Sequence, residues 1–273
     1  MKNENYNTEG FTKAELSKLP LYEFTGSQED RWKATNGIID NILNQYHSRL
    51  GSFKILDLAL GGGHDSIFMI KRGYDVTSNE IEDTYIEQAK DKATNENITL
   101  NVRKCYWQEI DKSPLYKLGE FDFAFCLGNS FPNYLLNGDD RTKSLQNFWT
   151  VLKKGGTLLF DSRNFDYMVE NKDSILKKPE TNFRYAGKTT FLNKELVHGF
   201  PVEITNDVVR FVWKHYGKKA YAEMKLWPAT TKNVKKLIQD SIGNIRYEIL
   251  YDYQKQKPEH YDFVQYLLYK DQQ

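Results

Sequence analysis

The sequence is short of cysteine, of net charge and of long apolar runs, and each shortage excludes something. Its two cysteines, Cys105 and Cys126, stand apart with no metal-ligand spacing around them. That argues against a disulfide framework and fits a reducing compartment. Lys and Arg number 38 against 37 Asp and Glu, so no basic surplus points to nucleic acid or to an anionic membrane. No apolar stretch approaches the roughly 20 residues that a bilayer-spanning helix needs. The opening segment, MKNENYNTEGFTKAELSKLP, lacks the continuous apolar core of a secretory signal. None of His47, His64, His198, His215 or His260 is clustered with a nucleophile or spaced as a metal site. The expectation is a cytoplasmic enzyme or binding domain with no metal, no nucleic acid and no membrane partner.

What is present is an alternation of apolar strands and amphipathic helices. Residues 1–30 are polar and weakly patterned and read as an N-terminal arm. Residues 31–273 read as one domain. Within it, residues 31–50 space Trp32, Ile38, Ile39, Ile42, Leu43 and Tyr46 as one face of a helix. FKILDLAL is a short apolar run ahead of a glycine cluster, as a buried parallel strand requires. HDSIFMIKRGY follows as a helix ending at Gly73, then YDVTSNE as a strand, DTYIEQAKDKATNEN as a helix and ITLNVRKCY as a strand. FDFAFCLGNS is apolar enough for a central strand, and RTKSLQNFWTVLKKGG reads as a helix stopped by its glycine pair before the strand TLLFDSRN. This order predicts an α/β, Rossmann-like, doubly wound and mostly parallel sheet. Residues 182–227 change to short alternating segments, an antiparallel meander inserted at about 180–228 that would cap a substrate site. A helix over 230–241 and the strands NIRYEILYDY and HYDFVQYLLYK follow.

The segment Ile55–Glu80 carries the chemistry. Gly61, Gly62 and Gly63 lie directly after a strand and before a helix, where glycine lets the backbone turn tightly and approach a ligand. Asp57 sits in the strand before the loop, and Glu80 ends the next strand, where an acid can accept hydrogen bonds from both hydroxyls of a ribose. These features alone fit a dinucleotide and S-adenosylmethionine equally well. The glycines are contiguous instead of G-x-G-x-x-G, which weighs against a nucleotide-binding oxidoreductase.

DLALGGGHDS resembles the first motif of class I methyltransferases, and its continuation HDSIFMIKRGYDVTSNE resembles glycine N-methyltransferase and its bacterial glycine/sarcosine relatives. So do CLGNSF, Cys126–Phe131, and FDSRNFDYM, Phe160–Met168, in the same order and at similar spacing. The resemblance implies S-adenosylmethionine as cofactor, with S-adenosylhomocysteine as product, and gives each residue a role. Ala59, Gly61 and Gly63 would lie along the methionyl part, and Asp57 would help hold its amino group. Glu80 would bind the ribose, with Asn79 near the adenine. Tyr106 and Trp107 would flank the adenine, and Leu127 would face the cofactor from the other side.

On the substrate side, Asn129 and Arg163 lie just past the ends of expected strands and so face the same cleft. The resemblance matches Arg163 to an arginine that binds the carboxylate of glycine and Asn129 to its hydrogen-bonding partner. A planar guanidinium suits that role. Tyr22, in PLYEF, falls where the family has a tyrosine near the transferred methyl group. The departures are Leu60 and Gly62 in place of Cys and Thr, Glu80 in place of Asp, and Leu226 and Trp227 where the family has tyrosines before a proline. The expected activity is N-methylation of glycine, sarcosine or a similar small amino acid. The alternatives are a methyltransferase for another small amine, or a non-catalytic S-adenosylmethionine-binding relative. A homo-oligomer is left open.

Overall fold

In the computed structural model, which describes residues 35, 37–134, 137–183, 190–192, 195–215 and 220–271, the alternating segments assemble as two sheets. The larger has seven strands: β1 (Lys54–Asp57), β2 (Asp75–Asn79), β3 (Asn101–Arg103), β4 (Phe121–Cys126), β5 (Leu152–Arg163), β10 (Arg246–Tyr251) and β11 (Phe263–Tyr269), in the order β10-β11-β5-β4-β1-β2-β3. Strands β1 to β5 are mutually parallel, and β11 runs antiparallel to both β5 and β10. The order reverses between β1 and β4, which opens a crevice at their carboxyl ends. Helix α1 (Ile38–Leu50) precedes β1, and α2 (His64–Lys71), α3 (Asp83–Asn95) and α5 (Gly138–Val151) connect parallel strands, with a short α4 (Ser130–Tyr134) after β4.

Both faces of the sheet are covered, which is why β4 is buried at every position. On one face α1 lays Ile39, Ile42 and Leu43 against Ile55, Phe123, Phe125 and Leu159. On the other, Leu56, Leu58, Phe131, Phe148 and Phe160 form a core that continues into the second sheet. That second sheet is antiparallel, ordered β6 (Thr190–Leu192), β7 (Glu195–Ile204), β8 (Val209–His215) and β9 (Ala220–Leu226). It is followed by α9 (Thr231–Ile242), whose N-cap is the Thr230 hydroxyl accepting the Asn233 amide.

Several expectations change at the edges of elements. Helix α1 is described from Ile38, behind Gly37 in a left-handed conformation, and Trp32 lies outside the described residues. Strand β3 is only three residues long, as befits the sheet edge. The Gly155–Gly156 pair does not stop α5. That helix ends at Val151, and β5 starts at Leu152 and runs through the glycines. A Cβ on Gly156 would lie 2.8 Å from the Lys153 carbonyl oxygen and 3.0 Å from that of Asp122. The register against β4 also shifts between Phe121 and Phe123. The pair therefore serves a bulge where two backbones meet closely. Three short helices, α6 (Phe165–Glu170), α7 (Lys172–Lys177) and α8 (Pro179–Asn182), fill a stretch that no periodicity announces.

Candidate active site

Strands β1, β2, β4 and β5 end on one edge of the sheet, and their last residues with the loops that follow form a continuous rim. At the end of β1, Asp57 is buried and its carboxylate is divided between two tasks. Oδ1 accepts the Ala59 amide at 3.0 Å, shaping the turn, and Oδ2 accepts the Ser66 hydroxyl at 2.7 Å. Ser66 lies 2.8 Å from the Ser78 hydroxyl, so β1, α2 and β2 are tied under the loop.

The loop needs two of its three glycines for different reasons. Gly63 has φ +78, and a Cβ there would stand 2.9 Å from the Ala89 Cβ, so the close approach of α3 excludes a side chain. Gly61 has φ +49, and a Cβ there would meet nothing nearer than the Ala59 carbonyl oxygen at 4.0 Å. Its exposed side is bare backbone facing open space. Lys92 braces the loop from α3, with Nζ 3.2 Å from the Gly62 carbonyl and 2.7 Å from His64 Nε2.

Glu80, at the end of β2, is buried and accepts three backbone amides: Gly61 at 3.0 Å on Oε2, and Ile81 at 2.8 Å and Glu82 at 3.1 Å on Oε1. Desolvation by burial nevertheless raises its pKa, against the opposing pull of those three amides. Asn79 beside it is buried, and its Oδ1 accepts the Tyr116 hydroxyl at 2.7 Å. Burial pushes the Tyr116 phenol far above its usual range, so it stays a donor. Arg103 lies over the Tyr116 ring and makes a two-pronged pair with Glu120 at 2.8 and 2.6 Å.

Next to Glu80, a cavity of about 530 Å³ opens at the ends of β2 and β3, lined by Ile81, Lys104, Cys105, Tyr106, Glu109 and others. That size suits a small-molecule site. Tyr106 lines it and is 36% exposed, whereas the adjacent Trp107 turns inward. The Trp107 indole is buried, donates to the Leu58 carbonyl at 2.7 Å, stacks on Phe131 and meets Phe148 edge-on. Leu127 is buried in the cluster that contains α1.

Across the rim, Gly128 and Asn129 both have left-handed backbones, φ 79 and 62. Both amides donate to the buried carboxylate of Asp161, Gly128 at 3.1 Å and Asn129 at 2.6 Å. Asn129 is itself buried, and its Oδ1 accepts the Arg163 amide at 2.8 Å. Arg163 ends β5 opposite Phe263, with its guanidinium carbon 5.4 Å from that ring's centre. No carboxylate among the described residues pairs with this guanidinium. Tyr22 lies outside the described residues.

The antiparallel sheet meets this rim at its exit. Trp227, directly after β9, donates its amide to the Pro132 carbonyl at 3.1 Å, packs edge-on against Phe131 and lies under Arg141 at 4.5 Å. Four residues on, Thr231 donates through both its amide and its hydroxyl to Asp166 in the SRNFDY segment.

The structure thus joins Asp57, Ala59, Gly61, Asn79 and Glu80 in one hydrogen-bonded group, and Asn129 with Arg163 in another on neighbouring strands. Tyr116 holds Asn79 and Asp161 holds Asn129, and neither was singled out from sequence. Asp161 was detectable as the lone acid closing the apolar run TLLFDS, while Tyr116, in an irregular segment, carried no signal.

Comparison with known proteins reaches the same region. A family described as methyltransferase domain matches residues 55–156. A glycine/sarcosine N-methyltransferase of Parasynechococcus marenigrum is 27% identical over 216 residues, 78% of this chain and 71% of that protein. One from Aphanothece halophytica is 28% identical over 190 residues, 70% of this chain and 66% of that protein, and the glycine N-methyltransferase of Rattus norvegicus is 24% identical over 234. Among solved structures, an S-adenosylmethionine-dependent methyltransferase from Clostridium acetobutylicum superposes with a TM-score of 0.61 at 13% identity, over 89% of this chain and 98% of that one. An S-adenosylmethionine-bound amino pentose methyltransferase from Micromonospora echinaspora gives 0.57 at 12% identity, over 90% and 92%. At such identities the likeness is one of fold.

Proposed function

We propose that this chain, a class I S-adenosylmethionine-dependent methyltransferase resembling glycine N-methyltransferase, methylates the amine of glycine, sarcosine or a similar small amino acid. The residues at the rim suit the cofactor. Gly61 leaves bare backbone on its open side, the Glu80 carboxylate has one acceptor site left on Oε2 for a ribose hydroxyl, and the cavity beside Ile81 and Tyr106 has room for a base. Asp57, Ala59, Gly61 and Gly63 would hold the methionyl end, with Asn79, Glu80, Tyr106, Trp107 and Leu127 around the adenosine. Trp107 would act from behind, by fixing Leu58 and the Tyr106 backbone. Bound there, S-adenosylmethionine supplies a methyl group already activated on a sulfonium, so the chain's task is to hold an amine lone pair in line with it.

The observation that carries the acceptor reading is Arg163. It is a partly buried guanidinium on the rim, anchored through its own amide to Asn129 and paired with no carboxylate among the described residues. A substrate carboxylate completes such a group through two parallel charge-assisted hydrogen bonds. Asn129 would border the same pocket, Tyr22 would stand near the transferred methyl group, and the antiparallel sheet would close the cleft from above.

A second reading, transfer to a different small amine, draws on Leu226 and Trp227. They stand where the resemblance leads one to expect tyrosines, and both are buried at the rim. A panel of amines incubated with methyl-labelled cofactor separates the two. Turnover of glycine or sarcosine is expected. Failure of both beside good turnover of an amine without a carboxylate would reverse the order.

A further inference from the structure

We propose that Asp161 is a positioning residue for the acceptor carboxylate, acting through Asn129 and Arg163; this rests on the amino-acid reading above. Asp161 and Arg163 are two apart on β5, so their side chains leave the same face of the strand. One carboxylate receives two successive amides, those of Gly128 and Asn129, at 3.1 and 2.6 Å. Successive amides pointing to one side form a nest for an anion, and here the anion is built into the chain. The nest fixes the left-handed turn that Asn129 adopts at φ 62, a conformation that costs a non-glycine residue energy and persists only when surroundings impose it.

The turn, which follows β4, then bonds β5 a second time. Asn129 Oδ1 accepts the Arg163 amide at 2.8 Å, closing a ring that runs from Asp161 through the β4 loop to Arg163. With Phe263 under the guanidinium, the ring governs the base of the Arg163 side chain and the ring stack supports its end. Strand β5 extends three residues past its last pairing with β4, Cys126 with Phe160, so nothing in that ladder holds Arg163. The Asp161–Asn129 ring supplies the tether on the β4 side, as the pairing with Phe263 does on the β11 side.

The test uses the full chain with Asp161→Asn, Asn129→Ala and the double variant. Acetate serves as a carboxylate probe in competition against the acceptor amine, and calorimetry reports S-adenosylhomocysteine affinity. Exchanging the carboxylate for an amide weakens charge-assisted bonds to two amides, so KM for the acceptor amine and Ki for acetate should each rise roughly tenfold or more. Affinity for S-adenosylhomocysteine should stay within about twofold, and the double variant should be little worse than either single one. A fall in melting temperature with acetate inhibition unchanged, or fully additive effects, overturns the proposal. If Asp161→Asn does not fold, Asp161→Glu keeps the charge at a longer reach. An intermediate rise in acetate Ki supports the tether, and none refutes it. A wild-type protein that acetate does not inhibit and that turns over neither glycine nor sarcosine sinks the acceptor reading, and this inference with it.

Discussion

The Glu80 carboxylate accepts the Gly61 amide at 3.0 Å across 19 residues of sequence, so the end of β2 and the glycine turn after β1 form one unit. A ligand lying on the turn and a ligand reaching for the acid therefore meet a single rigid surface.

That unit has a pH signature. Burial raises the Glu80 pKa above the ordinary glutamate value of about 4.3. The unfolded chain then loses this proton at lower pH than the folded chain. The associated stability is fully present below the unfolded value and is lost as pH rises through the folded one. Melting temperatures of wild type and Glu80→Gln, followed upward from about pH 4, should show the wild type falling relative to the variant across that window. Parallel curves would mean that the carboxyl ionises as if exposed.

The two glycines should separate folding from cofactor binding. Gly63→Ala must place a methyl 2.9 Å from Ala89 in a left-handed backbone, which costs about 1–2 kcal/mol before the clash is counted. It should lower the melting temperature clearly. Gly61→Ala meets only the backbone strain, and its methyl covers the bare side of the loop. Its cofactor affinity should drop more than its stability. Equal losses of both quantities in both variants would contradict this division.

Arg163→Ala should raise KM for a carboxylate-bearing acceptor strongly, with cofactor affinity nearly unchanged. The bond to Asn129 uses the backbone amide and survives the substitution. Arg163→Lys keeps the charge but not the two-pronged geometry, so its KM should fall between. Matching losses of cofactor and acceptor binding in steady-state and equilibrium measurements would argue that the guanidinium supports the whole rim.

Trp227 fills the rim beside Phe131 and Arg141. Trp227→Tyr trades an indole for a smaller ring with a hydroxyl, and it should raise kcat/KM for glycine relative to bulkier amines. An unchanged ratio across the amine panel would remove this position from the determinants of acceptor size.

The carboxyl rim was legible in sequence because its residues follow strands whose apolar runs mark their own ends. Asp57 and Arg163 close β1 and β5, Glu80 directly follows β2, and Asn129 stands three residues past β4. What escaped depended on contacts between distant segments. Gly155 and Gly156 looked like a helix stop, yet Gly156 answers to carbonyls of Lys153 and Asp122, one of them on another strand. Tyr106 and Trp107 are adjacent aromatics, and periodicity cannot say which faces a cavity. The answer comes from Tyr106 being extended, at φ −67 and ψ 137, just before a short 3₁₀ helix that begins at Trp107 and turns the indole inward. Asp161 read as one more strand residue until the left-handed pair on β4 gave it a purpose.

The antiparallel sheet leaves the main domain after α8 and rejoins it at Trp227 and Thr231, the first bonded to α4 and the second to α6. Phe200, Ile204, Phe211 and Leu226 of the sheet join the main core, so the sheet can be exchanged only with that packed face kept. Its strands can be lengthened, shortened or replaced in evolution or by grafting while β1, β2 and their glycine turn keep their own bonds. On the proposed reading, the range of acceptors would change with this sheet while the residues proposed for the cofactor stay the same.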